Sequence, residues 1–246
     1  MTNTVAPDEV AKFNALADDW WDPAGPMRPL HQMNPCRLDY IAAQISAEFN
    51  KPRRGRRPFD GVTVADIGCG GGLATEPMAR LGCEVTGLDA AEESLAIARA
   101  HAARSGLKID YRAETAEAVA ARSEAFDVVL ALEIVEHVAD AQAFVAALST
   151  LVRPGGLLIM STLNRTPESW ATAIVGAERI LRWLPVGTHD WRKFLTPEEL
   201  ETAIEATGLS VVDVMGMVPD PIRGGWRTSD RALRVNYLLT ATKPAD

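Results

Sequence analysis

The chain has 246 residues, 47% hydrophobic and 24% charged, with a net charge of −8, the make-up of a globular protein with one full-sized core. An acidic chain without a basic stripe argues against a nucleic-acid partner. No window reaches eighteen uninterrupted apolar residues, which argues against a membrane-spanning helix. Cys36, Cys69 and Cys83 lack C-x-x-C spacing, so a reducing, cytoplasmic setting is expected rather than a disulfide framework or a zinc ribbon.

In chain order, Met1–Val10 is polar and does not read as a signal peptide. Residues 1–60 read as a helical N-terminal cap. The basic run Lys51-Pro-Arg53-Arg54-Gly-Arg56-Arg57 reads as a solvated linker, with contact to anionic lipid as the second reading. Residues 61–246 then alternate short β-branched runs with helical patterns, the mark of a mostly parallel sheet with helices on both faces. Seven strands are predicted, at Val62–Ile67, Glu84–Leu88, Ile109–Arg112, Phe126–Leu132, Gly156–Ser161, Val211–Met217 and Val235–Ala241. Leu95, Ala98 and Ala102 share one helical face, which Gly106 stops. Residues 166–191 form a helical insertion after the fifth strand. Thr196-Pro197-Glu198-Glu199 is a capping box with proline at the first helical position.

The most informative stretch is VADIGCGGG, Val64 to Gly72. A strand ends at Ile67, and Gly68, Gly70, Gly71 and Gly72 follow before a helix, so a ligand is able to approach bare backbone. The dinucleotide pattern G-x-G-x-x-G fails, because its third glycine falls on Leu73. Asp66 stands just before the loop, where its charge opposes a pyrophosphate and suits a cation. The second strand ends at Asp89, placed to accept ribose hydroxyls about 20 residues past the first glycine. Together Asp66, Gly68, Gly70 and Asp89 point to S-adenosylmethionine, a nucleoside with a sulfonium and an amino-acid tail. A generic strand–helix turn with a surface aspartate is the plainer alternative.

Behind the apolar run FDVVLAL comes EIVEH, Glu133 to His137. Carboxylates three residues apart and an imidazole beside the second share one side of a helical turn. In one reading Glu136 caps or salt-bridges the next helix and His137 packs in the core. In another His137 is a general base at the mouth of the strand.

Over nearly its whole length the chain resembles a class I, Rossmann-like methyltransferase, and more narrowly the ubiquinone biosynthesis O-methyltransferase family. The resemblance rests on FNALADDWWDPAGPMRPLHQMNPCRLDYI, DIGCGGG, VTGLDA, EIVEHVAD, STLNRT and GTHDWRKFLTPEEL. The first and last of these narrow it to that family. It implies S-adenosylmethionine contacts at Arg37, Gly68, Asp89 and Leu132, with Arg37 meeting the methionine carboxylate. Leu132 stands where methionine is the family's usual residue, a volume-conserving change. The acceptors implied are polyprenylated phenols, catechols or quinols, both 3-demethylubiquinol and 2-polyprenyl-6-hydroxyphenol. Other enzymes of ubiquinone biosynthesis are implied as partners.

The resemblance also implies a divalent metal on Glu133, Glu136 and His137, with Mg²⁺, Mn²⁺ and Zn²⁺ all open. Such an ion lowers the pKa of a phenol and orients its oxygen, and His189 stands in reserve as a further ligand. In the insertion, Trp170, Ile174, Ala177, Leu181 and Leu184 recur at helical spacing, with Arg179, Arg182 and Trp183 nearby. This stripe reads either as cover for the core or as a contact through 169–185 with an anionic membrane surface, placing the protein on the inner face of the membrane. Two rivals remain at this level. One is a methyltransferase acting on another small molecule or on RNA; the other is a non-catalytic S-adenosylmethionine-binding module that recruits partners to a membrane.

Overall fold

The computed structural model describes residues 4–172, 174, 190–222 and 224–245. At its centre β1 (Thr63–Ile67) pairs in parallel with β2 (Glu84–Leu88) on one side and β4 (Phe126–Leu132) on the other. β3 (Asp110–Arg112) extends the sheet beyond β2, and β5 (Val152–Leu163) continues it in parallel beyond β4. Then the direction reverses. β8 (Asn236–Thr242) runs antiparallel to β5, β6 (Ser210–Pro219) antiparallel to β8, and β7 (Trp226–Ser229) antiparallel to β6. The order is β3-β2-β1-β4-β5-β8-β6-β7.

All seven expected strands fall where eight are found, so the count is corrected by β7. β6 runs on to Pro219, and a turn through Gly224 and Gly225, at φ +74° and +76°, folds Trp226–Ser229 back onto it. The Gly-Gly pair carried that turn signal, but the strand after it is only four residues long. Such a run is too short for alternation to register.

Helices cover both faces. α5 (Ala116–Ala120), α6 (Ala141–Leu151) and α8 (Pro197–Glu205) bury Val119, Phe144, Leu148, Leu200 and Ile204 against Val129, Leu158 and Leu239. On the opposite face α2 (Arg28–Glu48) and α3 (Thr75–Arg80) set Tyr40, Ile41, Ile45 and Met78 against Val128, Leu130 and Ile159. Successive residues of β4 therefore enter different cores, which is why FDVVLAL is apolar throughout instead of alternating. Each such Val or Leu contributes roughly 1.5–3 kcal/mol through burial.

The expected capping box closes α8: Thr196 Oγ1 accepts from Glu199 N–H, and Glu199 Oε2 accepts from Thr196 N–H at 2.9 Å. α4 (Glu92–Arg104) buries Leu95, Ala98 and Ala102 on one face, and the chain turns away at Gly106 with φ +67°. The short helical turn α7 (Pro167–Ser169) opens the insertion. Residues 51–57 lie almost wholly at the surface, with Arg57 paired to Asp60.

Candidate active site

The carboxyl ends of β1, β2 and β4 open onto one cleft, where parallel α/β sheets bind their ligands. Arg37, Asp66, Gly68, Gly70, Asp89, Leu132, Glu133 and His137 all line it. Of the expected residues, only Glu136 faces elsewhere, and His189 lies outside the described residues.

The floor is the glycine loop. Gly68 has φ +70°, and a Cβ there would stand 2.0 Å from Ile134 Cδ1. Gly70, at φ +50°, would drive a Cβ into the Trp20 ring at 2.3 Å. Only glycine fits either position without strain. The loop is clamped from above by the N-terminal segment. Trp21 Nε1 donates to Gly71 O at 2.9 Å, Asn34 Nδ2 to Leu73 O at 2.7 Å, and Trp20 Nε1 to Ser94 Oγ at 3.0 Å. The aromatic pair of the WWD motif is thus a buttress for the loop.

Two aspartates flank it. Asp89 Oδ2 accepts from Gly70 N–H and Oδ1 from Ala91 N–H, each at 2.8 Å, so backbone donors hold the carboxylate at the tip of β2. Burial pushes its pKa up, and those N–H groups restrain the rise. Asp66 is 2% exposed and accepts from Thr75 Oγ1. Burial raises its pKa to about 6, with the Asp89 charge adding to the effect and Thr75 and Arg37 opposing it. A cation arriving here finds a carboxylate that gains from ionising beside it.

Arg37 comes from the middle of α2 and is 4% exposed. Its guanidinium reaches Glu133 only at 3.8 Å, and Nε has no hydrogen-bond partner. Burial lowers its pKa, against the pull of Glu133 and Asp66. A buried, underserved guanidinium is costly unless a ligand's anionic group completes it.

The β4 end departs from expectation. Glu133 takes a left-handed φ of 53°, and Val135–His137 form a single 3₁₀ turn. Glu133, Glu136 and His137 therefore do not share one helical side. Ser161 Oγ donates to Glu133 Oε1 at 2.8 Å, and Asn236 Nδ2 to Oε2 at 3.3 Å. Glu136, 3% exposed, points into the core, where Thr162 Oγ1 donates to Oε2 at 2.8 Å and Oε1 has no partner. Burial pushes its carboxyl up to about 7. His137 Nδ1 faces Glu9 Oε2 at 2.9 Å. Each side chain is committed to a different partner, and among the described residues no three His, Cys, Asp or Glu side chains gather as a metal site requires. The expected metal triad does not fit this geometry.

Residues not anticipated as functional complete the roof. α1 (Pro7–Ala15) brings Glu9, Val10 and Phe13 to the cleft. Phe13 meets the His137 ring edge-on at 5.3 Å. Thr4 N–H donates to Glu117 Oε1 at 3.2 Å and Thr4 O accepts from Ala139 N–H at 2.8 Å, tying the strap down. No local motif marks Glu9 or Thr4, because their partners lie more than a hundred residues away.

Of the insertion, 166–172, 174, 190 and 191 are described; the remainder of the expected stripe, including Ala177, Leu181 and Leu184, lies outside. Trp170 is 48% exposed, and Trp191 Nε1 donates to Thr166 O at 3.0 Å. No helix among the described residues is long and apolar enough to cross a membrane.

A methyltransferase domain model matches residues 65–160. The chain is 57% identical to a ubiquinone biosynthesis O-methyltransferase of Cereibacter sphaeroides over 99% of its own length and 98% of that protein. It is also 57% identical to the Ruegeria pomeroyi protein of the same name, over 98% of both chains. In fold it is similar to a magnesium protoporphyrin IX methyltransferase from Synechocystis solved with bound SAH, at TM-score 0.67 and 20% identity, covering 96% of this chain and 99% of the other. A Burkholderia thailandensis 1,6-didemethyltoxoflavin-N1-methyltransferase solved with S-adenosylhomocysteine matches at TM-score 0.59 and 21% identity, over 99% and 93% of the two chains.

Proposed function

The chain belongs to the family of ubiquinone biosynthesis O-methyltransferases, which use S-adenosylmethionine, and from that premise we propose how its residues divide the work. Asp89 accepts from the ribose hydroxyls on lone pairs left beyond the Gly70 and Ala91 bonds. Gly68 and Gly70 let the cofactor lie on bare backbone, Leu132 packs on the adenosine, and Asp66 faces the ammonium of the methionine tail. Arg37 receives the carboxylate of that tail, which completes its guanidinium. The acceptor is a ring hydroxyl of a polyprenylated phenol, catechol or quinol, as in the conversion of 3-demethylubiquinol and of 2-polyprenyl-6-hydroxyphenol.

The observation that carries this reading is the pairing in one cleft of the buried Asp66, whose carboxyl is pushed up to about 6, with the buried Arg37, whose Nε has no partner; their opposite charges suit the ammonium and the carboxylate of one zwitterionic tail. Calorimetry tests it. S-adenosylmethionine and its demethylated product should both give heat, and NAD⁺ none; the reverse pattern sinks the assignment.

For methyl transfer, a phenol with a pKa of about 10 must lose its proton as the oxygen attacks. His137, which lines the cleft just beyond the end of β4, is the base in this reading. No step runs through a metal, since Glu136 is turned away and Glu133 and His137 are engaged separately. Glu133 instead supplies charge beside Arg37. A turnover assay with a soluble catechol separates catalysis from a mere cofactor-binding module.

A polyprenylated acceptor lives in a bilayer, so we also assign 169–185 to peripheral contact with an anionic membrane surface, and the half-exposed Trp170 supports this. Flotation with anionic liposomes checks it: wild type should rise with the vesicles and a Trp170→Asp/Ile174→Asp/Leu181→Asp variant should not. Failure of the wild type to bind removes the assignment.

A further inference from the structure

We infer that His101, which stands outside the cleft, is a positioning residue for the cofactor: it holds Trp21 in place and, through Trp21, fixes the glycine loop on which the cofactor lies. This rests on the reading of that loop as the S-adenosylmethionine site. Four contacts close a ring around the loop. Trp21 Nε1 donates to Gly71 O at 2.9 Å. The Trp21 indole lies flat on the His101 imidazole, with ring centroids 3.5 Å apart and planes 6° from parallel. His101 Nδ1 faces Glu76 Oε1 at 2.6 Å. Glu76 N–H in turn donates to Gly72 O at 3.0 Å. The ring therefore begins and ends on the carbonyls of two successive glycines. It joins three parts of the chain: the N-terminal cap, the first turn of α3 and the last turn of α4.

Glu76 is 1% exposed, and both of its oxygens are used, Oε2 by Arg80 Nη2 at 3.3 Å. A carboxylate so enclosed keeps the imidazole from turning, so the face offered to Trp21 is set by the fold. An indole has one N–H, which lies in its ring plane; a plane fixed by His101 aims that N–H at Gly71 O. Trp20 does a different job, lining the cleft, packing on Gly70 and donating to Ser94. Trp21, Glu76 and His101 do not line the cleft, so they reach the cofactor only through the loop. Gly68, Cys69 and Gly70 face the ligand space, and Gly71 and Gly72 are gripped from behind. Because each peptide unit is planar, pinning those two carbonyls fixes the end of the loop and the place of Leu73, which returns to the cleft. A loop ordered in advance spares the cofactor that ordering cost on binding.

Calorimetry with S-adenosylhomocysteine and single-turnover methyl transfer to a soluble catechol compare wild type with His101→Ala, Trp21→Phe and the double variant. His101→Ala removes the stacked ring and should weaken product binding about 5–10-fold. Its single-turnover rate at saturating S-adenosylmethionine should stay within about 2-fold, because the ring touches no reacting atom. Trp21→Phe keeps an aromatic face without the N–H donor and should lose a similar factor. The double variant should bind within about 2-fold of the weaker single variant, because both changes act on one bond; independent losses would multiply to about 25–100-fold. His101→Gln, whose amide still reaches Glu76 but cannot stack, should show the same loss and stands in if the alanine variant does not fold. Product affinity in His101→Ala within about 2-fold of wild type overturns the inference and leaves the cofactor reading intact. Losses that multiply also overturn it, since His101 then acts without Trp21. A single-turnover rate that falls in step with affinity makes the cluster general support for the fold, and the inference is again wrong. Wild type giving no heat with the product removes the cofactor reading itself.

Discussion

The cleft has two halves built in different ways. The half proposed for the cofactor has a local centre: Asp66, the glycine loop and Asp89 lie within 24 residues on two adjacent strands, their geometry follows from backbone turns, and only Arg37 of α2 and Leu132 of β4 join them from elsewhere in the chain. The acceptor half is assembled from distant pieces, with Thr4, Glu9 and Phe13 on the N-terminal segment meeting Glu117 and His137. A cleft so divided keeps one cofactor geometry while its roof is free to vary, because nothing in the roof forms the loop's turns. The difference has an experimental signature. Changes in the first half should disturb the loop and cofactor affinity together, and changes in the second should spare both.

The largest effect is expected at Gly68. Alanine there must hold a left-handed φ, costing about 1–2 kcal/mol, and must push Ile134 aside from a 2.0 Å overlap, roughly 1–3 kcal/mol more. Ile134 precedes the 3₁₀ turn carrying His137, so the loop and the acceptor edge are strained together. The melting temperature should fall by about 5–15 °C, and affinity for S-adenosylhomocysteine should fall about a hundredfold. A variant with wild-type affinity would show that the loop is not pressed against its ligand.

Asp66→Asn comes next, and here stability and binding should move in opposite directions. Since the folded pKa is raised to about 6, the native state holds this proton more tightly than the unfolded chain. Apo stability therefore falls as pH rises through that region, and is highest near and below the unfolded carboxylate pKa of about 4. Asparagine removes this cost and should raise apo stability at pH 7.5 by on the order of 2 kcal/mol. If Asp66 meets the cofactor's ammonium as proposed, binding needs the ionised form, and wild-type affinity should weaken about tenfold for each pH unit below 6. The variant should bind about 10–100-fold more weakly at pH 7.5 and show no such slope. An unchanged slope in calorimetry would assign the titration to another group.

Gly68 was legible from the glycine run itself, although the Ile134 side chain it presses against comes from beyond β4, and Asp66 was legible because its place before that run and its Thr75 partner are near in sequence. The same holds for Thr196 and Glu199, whose reciprocal bonds span a single turn, and for β4, whose apolar run reports burial on both faces. EIVEH misled for a physical reason. Three ionisable side chains at helical spacing define a shared face only if the backbone is helical, and the left-handed Glu133 ends that assumption at the first residue. Glu136 then turns toward Thr162 in the core, a choice made by β5 packing and invisible to spacing. The N-terminal WWD motif was legible as a family mark, but its work of clamping Gly71 and packing on Gly70 needed the fold. Glu9 left no trace at all, being one acidic residue in the first turn of an amphipathic helix.

Phe13 gives the smallest and most selective expected effect. Its ring stands edge-on to His137 at 5.3 Å and stacks with Trp20 at 6.5 Å, so it touches the base on one side and the loop's buttress on the other. An aromatic pair of this kind contributes about 0.5–1.5 kcal/mol beyond area burial. If the roof serves the acceptor, Phe13→Ala should lower kcat/KM for a catechol about 5–10-fold, in line with that energy. S-adenosylhomocysteine affinity should stay within about 2-fold, because Trp20 keeps its Ser94 hydrogen bond and its own packing on the loop. Phe13→Leu, which fills much of the space without the ring, should keep the fold and still lose most of the effect. Should calorimetry instead find that cofactor affinity drops with the rate, the stack with Trp20 transmits the change into the glycine loop, and the two halves of the cleft are one mechanical unit.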